Sequence, residues 1–79
     1  MNNNKKILIT EFINQNSFEH LNKKFDVRYD EKLFENENEI TRIIKDYDGL
    51  IVRNKTQVNL SILKNALKLK FIGRLGVGL

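Results

Sequence analysis

The sequence predicts an α/β fold, an incomplete flavodoxin-like parallel sheet with the element order β-α-β-α-β-α-β. Two observations lead to this prediction. Short apolar runs recur along the chain, and stretches with helical spacing separate them. Strands separated by single helices pair in parallel through right-handed crossovers. The 79 residues contain no Pro and no Gly-rich linker, so we treat them as at most one domain.

The first part of the chain predicts two strands and one helix. Lys6–Thr10 is a short continuous apolar run, which is typical of a strand covered on both faces. Residues 17–24 carry apolar side chains near helical spacing, and Asn16 or Ser17 is the expected N-cap. From Phe25 to Tyr29 apolar and polar residues alternate, which indicates a half-exposed edge strand.

The middle of the chain predicts a second helix and a buried strand. A polar, acidic connection over residues 30–38 leads into a helix over residues 39–47, capped by Asn38. The apolar residues of this helix follow the spacing of one buried stripe: Ile40, Ile43, Ile44 and Tyr47. Gly49–Val52 is the most apolar strand, and Arg53 marks its carboxyl end.

A third helix and a fourth strand follow. Asn59 is the expected cap of a helix over residues 60–67. Ile62 and Ala66 lie beside the face of this helix that carries three leucines, Leu60, Leu63 and Leu67. Leu69–Leu75 is the fourth strand, again of the buried type.

Composition and charge narrow the function classes. Hydrophobic residues at 41% and charged residues at 30% are ordinary globular values. The net charge of +4 is spread over interleaved bases and acids, whereas a nucleic-acid binder concentrates bases on one face. The absence of Cys rules out a disulfide, a thiol nucleophile and a cysteine metal site. The first apolar run is too short for a signal peptide or a membrane span, so we expect a cytoplasmic protein with no membrane or nucleic-acid partner.

Three loops of the predicted sheet lie where ligands bind in open parallel sheets, outside the carboxyl ends of the strands. They are Glu11–Asn14, Arg53–Gln57 and Gly76–Leu79. The third and fourth strands are neighbours in the flavodoxin-like order, so backbone N–H groups of the last two loops can converge on a carboxylate. Arg53 and Arg74 can add positive charge. The pattern predicts a pocket for a small anionic acid.

Two stretches carry a resemblance to a known family. The strand and loop LIVRNKTQV, residues 50–58, and the run LKFIGRLGVGL, residues 69–79, resemble the opening of the D-isomer-specific 2-hydroxyacid dehydrogenases. Within the family, the two stretches resemble the 3-phosphoglycerate dehydrogenase branch. Two positions depart from the family pattern, since its frequent Ser is Asn54 and its frequent Pro is Leu67. Neither departure affects contacts made through the backbone.

The resemblance implies an NAD-dependent oxidoreductase that acts on the CH–OH group of a 2-hydroxy acid, as 3-phosphoglycerate dehydrogenase does in serine biosynthesis. In the family, the two loops hold the substrate carboxylate partly through backbone N–H groups. Arg53 corresponds to an arginine associated with a second anionic group on the substrate. The implied substrate-binding residues are Arg53, Asn54, Lys55, Arg74, Leu75, Gly76, Val77 and Gly78.

The resemblance also implies that residues 1–79 are a fragment, the start of a substrate-binding domain. The nucleotide-binding domain, its NAD and the catalytic residues would lie downstream, so we expect no catalytic, cofactor or metal residue in this chain. Gly73, Gly76 and Gly78 do not have the spacing of a dinucleotide turn. We therefore expect the fragment alone to be inactive. The expected ligand is a small anionic 2-hydroxy or 2-oxo acid, and the full-length enzyme is expected to be a homo-oligomer.

Two other hypotheses stay open on the sequence. One is a stand-alone flavodoxin-like binding or signalling module, such as a phosphoreceiver. That module needs an acidic pair after its first strand and an Asp after its third, where this chain has Glu11 alone and Arg53. The other is a coding remnant without function. His20, the only histidine, is expected on a helix surface rather than in catalysis.

Overall fold

Residues 4–75, which the computed structural model describes, form a four-stranded sheet with helices on both faces. The elements in chain order are β1 (Lys6–Ile9), α1 (Gln15–Lys24), β2 (Asp26–Tyr29), a 3-10 helix (Leu33–Glu35), α2 (Glu37–Ile43), a second 3-10 helix (Ile44–Asp46), β3 (Gly49–Val52), α3 (Leu60–Asn65) and β4 (Phe71–Arg74). The strand order is β2-β1-β3-β4, and each neighbouring pair is parallel. The predicted α/β, partial flavodoxin-like fold is confirmed.

The central strands β1 and β3 are covered on both faces, which explains their continuous apolar runs. Leu8 pairs in register with Leu50, and both belong to the core cluster beneath α2 and α3. Ile7, Ile9 and Ile51 point to the opposite face and pack with the apolar residues of α1. The alternation of side chains along each strand thus divides the core into two layers.

The helix starts differ from the predicted ones by two residues. Asn14, rather than Asn16 or Ser17, caps α1, because its side chain accepts a hydrogen bond from the Ser17 N–H at 2.8 Å. Asn36 caps α2 in the same way, in place of Asn38. This part of the chain is rich in Asn, and each Asn is a competent cap, so local pattern alone does not select between them.

Helix α3 begins after Asn59 as predicted, but it turns a different face to the core. It ends at Asn65, and Ile62 is its buried residue. The three leucines of the predicted helix are 70%, 46% and 80% exposed: Leu60, Leu63 and Leu67. A helix of six residues ends before Leu67, so the contact of Ile62 with the sheet decides its orientation.

Strand β4 is the outermost strand on its side of the described sheet. It is shorter than the predicted Leu69–Leu75, and it is not buried as predicted. Phe71 and Ile72 are 42% and 43% exposed, because no element among residues 4–75 packs beyond this strand. At the opposite side, β2 is the other edge strand, which confirms that part of the prediction.

Candidate functional site

The carboxyl ends of β1, β3 and β4 meet at one edge of the sheet and bring together the residues that follow them. Glu11 follows β1, Arg53 follows β3, and Leu75 follows β4. The Leu75 N–H donates to the Val52 carbonyl at 2.9 Å, so the pairing of β3 and β4 continues to this edge. Ligands bind at such an edge in open parallel sheets, which makes it the candidate site.

A buried carboxylate lies at the centre of this edge. The Glu11 side chain accepts hydrogen bonds from four consecutive backbone N–H groups of the loop after β3. Oε2 accepts from Arg53 at 2.9 Å and Thr56 at 2.7 Å, and Oε1 accepts from Asn54 at 3.0 Å and Lys55 at 2.9 Å. Glu11 is only 2% exposed. The loop therefore folds around an anion that the chain itself supplies.

These contacts determine the charge state of Glu11. Burial raises the pKa of the carboxyl group, but hydrogen bonds from the Thr56 side chain and from backbone N–H groups of the loop outweigh burial and lower the pKa to about 2. The Thr56 hydroxyl also forms a 2.7 Å hydrogen bond with the hydroxyl of buried Thr10. Glu11 is thus a permanent anion near neutral pH.

The arrangement corrects one expectation about the loop. Its backbone N–H groups were expected to hold a substrate carboxylate, but those of Arg53, Asn54 and Lys55 donate to Glu11 instead. Because these donors face Glu11, they do not face the surface, and the side chains are the groups of these three residues that remain there. All three side chains belong to residues that line a surface cleft.

The sheet edge also brings the two predicted arginines together. The Arg74 Nε donates to the Arg53 carbonyl at 2.7 Å, and the Arg53 guanidinium donates to the Phe12 carbonyl at 3.3 Å. Both contacts use neutral backbone acceptors. Within residues 4–75 neither arginine forms an ion pair, so two positive charges at this edge remain without a carboxylate partner in that range.

Arg53 lies between two clefts. One has a volume of about 340 Å³ and is lined by the loop after β3 together with Phe12, Glu31, Lys32, Phe34 and Glu35. The other, of about 320 Å³, lies between the start of α1 and Leu75, and its lining includes Phe12, Asn14 and Ser17. Three predicted site residues, Gly76, Val77 and Gly78, lie outside the described residues. The second cleft contains Leu75, directly before them in sequence.

The other candidate polar side chains lie on helix surfaces or bond to neighbouring residues. His20 is exposed on α1, as expected. Glu37 accepts a hydrogen bond from Asn59 at 2.9 Å, and Glu39 pairs with Arg42 on α2. Among residues 4–75 no three His, Cys, Asp or Glu side chains are grouped closely enough to hold a metal ion. No helix in the same range is long and apolar enough to cross a membrane.

The sequence comparison with known families agrees with the observed fold. The model for the D-isomer specific 2-hydroxyacid dehydrogenase catalytic domain matches residues 7–79. The chain therefore belongs to this family, and the resemblance seen in its two motifs is confirmed.

Individual relatives of the chain are named as specific enzymes of this family. The D-3-phosphoglycerate dehydrogenase of Methanocaldococcus jannaschii is 37% identical over 73 residues, which are 92% of this chain and 14% of that protein. The enzyme of the same name from Synechocystis sp. is 36% identical over 73 residues, 92% of this chain and 13% of that protein. The (S)-sulfolactate dehydrogenase of Chromohalobacter salexigens is 33% identical over 73 residues, 92% of this chain and 24% of that protein.

Two solved structures share the fold. A protein from Pyrococcus horikoshii OT3 gives a TM-score of 0.80 at 28% identity, covering 89% of this chain and 20% of that one. The NADPH-dependent glyoxylate/hydroxypyruvate reductase of Sinorhizobium meliloti, solved with citrate, gives a TM-score of 0.72 at 23% identity. The match covers 99% of this chain and 23% of that one. At the latter identity the likeness concerns the fold alone. The chain spans less than a quarter of the length of these relatives.

Proposed function

We propose that this chain forms the first part of the substrate-binding domain of an NAD-dependent D-2-hydroxyacid dehydrogenase that acts on D-3-phosphoglycerate. The observation that carries the proposal is the pair Arg53 and Arg74, joined by a 2.7 Å hydrogen bond at the carboxyl edge and free of ion pairs within residues 4–75. Two positive charges without a carboxylate partner suit a substrate that has an anionic group beside its carboxylate. Phosphoglycerate and sulfolactate, which the names of the relatives mention, both have a second anionic group beside the carboxylate.

Each part of the predicted site receives a separate task in this proposal. The Arg53 guanidinium binds the second anionic group, and Arg74 supports the position of Arg53 through its carbonyl. The side chains of Asn54 and Lys55 line the rim of the cleft. We assign the substrate carboxylate to residues 76–78, because the backbone donors of the loop after β3 already hold Glu11.

The described residues do not fit a dinucleotide. The β1–α1 turn has the sequence Thr-Glu-Phe-Ile-Asn, without the glycines that let a backbone approach a pyrophosphate. The loop after β3 holds Glu11 with its N–H groups. We therefore assign NAD and the catalytic residues to a separate nucleotide-binding domain. The whole enzyme would be a cytoplasmic homo-oligomer acting in serine biosynthesis.

The stand-alone signalling module lacks a specific observation in its favour. A phosphoreceiver needs carboxylates that are free to bind Mg²⁺. Glu11 is buried, and backbone N–H groups occupy both of its oxygens. The acceptor position after β3 is Arg53, whose positive charge opposes a cation.

The test uses a chimera in which this chain replaces the matching segment of the Synechocystis sp. D-3-phosphoglycerate dehydrogenase. Arg53→Ala in the chimera should raise the KM for D-3-phosphoglycerate and leave the KM for NAD unchanged. A charge-assisted hydrogen bond contributes about 1.5–3 kcal/mol, which corresponds to an effect on the order of 10- to 150-fold. Arg42→Ala removes the same charge from the exposed face of α2 and serves as the control.

Two results would overturn the proposal. An inactive chimera that nevertheless binds NAD would mean that the segment cannot serve as this part of the enzyme. An active chimera whose Arg53→Ala and Arg42→Ala variants have the same KM for D-3-phosphoglycerate would remove Arg53 from the substrate site.

A further inference from the structure

We propose that Glu11 is a positioning residue, which fixes the loop after β3 so that Arg53 presents its guanidinium to the anionic substrate. This inference rests on the proposed function of Arg53. Glu11 lies just after β1, 42 residues before Arg53 in the chain, yet the backbone N–H groups of the whole loop donate to its carboxylate. No role for Glu11 follows from the two motifs of the sequence.

The geometry of the loop supports this role. A carboxylate has about four lone-pair positions, and here four consecutive backbone N–H groups donate to its two oxygens at 2.7–3.0 Å. Four inward-facing N–H groups in a row fix the path of the backbone from Arg53 to Thr56. The loop has no regular secondary structure of its own, so its conformation depends on the anion it surrounds.

The position of the Arg53 side chain follows from the same contacts. Its backbone N–H is held by Glu11, its carbonyl by Arg74, and its guanidinium by the carbonyl of Phe12, the residue next to Glu11. Glu11 and Phe12 thus hold both ends of Arg53. Loss of the Glu11 contact would release the backbone end, and a displaced binding group loses much of its effect on the substrate.

A glutamine at position 11 would not replace the carboxylate. Its amide has nearly the same shape, but one oxygen becomes an NH₂ group, which would face backbone N–H donors. Two of the four hydrogen bonds are then lost, and donors oppose one another. An Asp at this position keeps the charge but is shorter by one methylene, so it cannot reach all four N–H groups.

The chain offers a matched control at the other end of the strands, where β1 and β3 begin. Asp48 is also buried, and its carboxylate accepts a backbone hydrogen bond from Lys6 at 2.8 Å. This contact lies at the amino ends of β1 and β3, away from the candidate site. Asp48→Asn therefore disturbs a buried carboxylate without touching the loop.

The experiment measures steady-state kinetics in the chimera for Glu11→Gln, Arg53→Ala, the double variant and Asp48→Asn. Glu11→Gln should raise the KM for D-3-phosphoglycerate on the order of 10-fold, with the KM for NAD unchanged. In the Arg53→Ala background the same change should have little further effect on this KM, since Glu11 acts through Arg53. Asp48→Asn should leave both KM values unchanged.

The outcomes separate the two proposals. If Arg53→Ala has no effect, the substrate role fails whatever Glu11→Gln does. If Arg53→Ala raises the KM and Glu11→Gln does not, or if the two effects simply multiply, the positioning role alone fails. Should Glu11→Gln prevent folding, Thr56→Ala leaves the four backbone N–H groups in place and removes the hydroxyl that contacts Glu11 and Thr10. This variant should raise the same KM in a folded protein. An unchanged KM in Thr56→Ala would then count against the proposal.

Discussion

Replacing Glu11 by Gln should lower the free energy of unfolding by about 3 kcal/mol near neutral pH. On folding, the pKa of this carboxyl group falls from its ordinary value of 4.5 to about 2. Each pH unit of that difference corresponds to about 1.4 kcal/mol of stabilisation of the ionised form. Because the folded-state pKa is depressed, the contribution is complete above pH 4.5 and is lost as the pH falls toward 2.

Urea unfolding of the 79-residue chain, followed by circular dichroism at low protein concentration, measures this effect. The gap in stability between parent and Glu11→Gln should be about 3 kcal/mol near pH 7 and shrink to about 1 kcal/mol near pH 3. Glu19→Gln, the same change on the exposed face of α1, should stay within about 0.5 kcal/mol of the parent. Coincident curves for parent and Glu11→Gln near pH 7, or a gap that does not narrow in acid, would refute the reasoning.

Three further predictions concern the core, the sheet edge and catalysis. Gly49→Ala should cost about 1–3 kcal/mol, because the added Cβ would meet the Phe71 ring and lie 2.7 Å from Cδ1 of Ile7; an unchanged urea midpoint would contradict this. Ile72→Lys should reduce concentration-dependent association of the chain, because β4 is an exposed apolar edge strand; size-exclusion profiles that match the parent at all concentrations would disprove it. The purified chain should form no NADH from NAD and D-3-phosphoglycerate, since no described loop fits the cofactor. An absorbance at the NADH band that exceeds that of a heat-treated sample would overturn this prediction.

The central strands are the part of the fold that sequence predicts best. Gly49–Val52 has the predicted bounds, because a middle strand of a parallel sheet is apolar on both faces and its limits are visible as changes in polarity. Asn59 was also recognisable as a cap, since its side chain accepts from an N–H only three residues away. Both features are local, so the sequence alone contains the information.

The features that sequence missed depend on distant contacts. The face that α3 turns to the core is set by Ile62, which packs against residues of β1, β3 and α2. The contact between Glu11 and Arg53 joins residues 42 positions apart. The one sequence signal for a role of Glu11 was its position as a polar residue directly after a buried strand. This position does not reveal that a distant loop turns its N–H groups toward the Glu11 carboxylate. The substrate roles of Arg53 and Arg74 stay a prediction.

A crystal structure of the chimera with D-3-phosphoglycerate bound tests the central claim most directly. We expect the phosphate within hydrogen-bond distance, about 3 Å, of the Arg53 guanidinium. We also expect the four N–H groups of the loop to remain on Glu11. A substrate whose carboxylate displaces Glu11 from the loop, or whose anionic groups lie away from Arg53, would contradict the account.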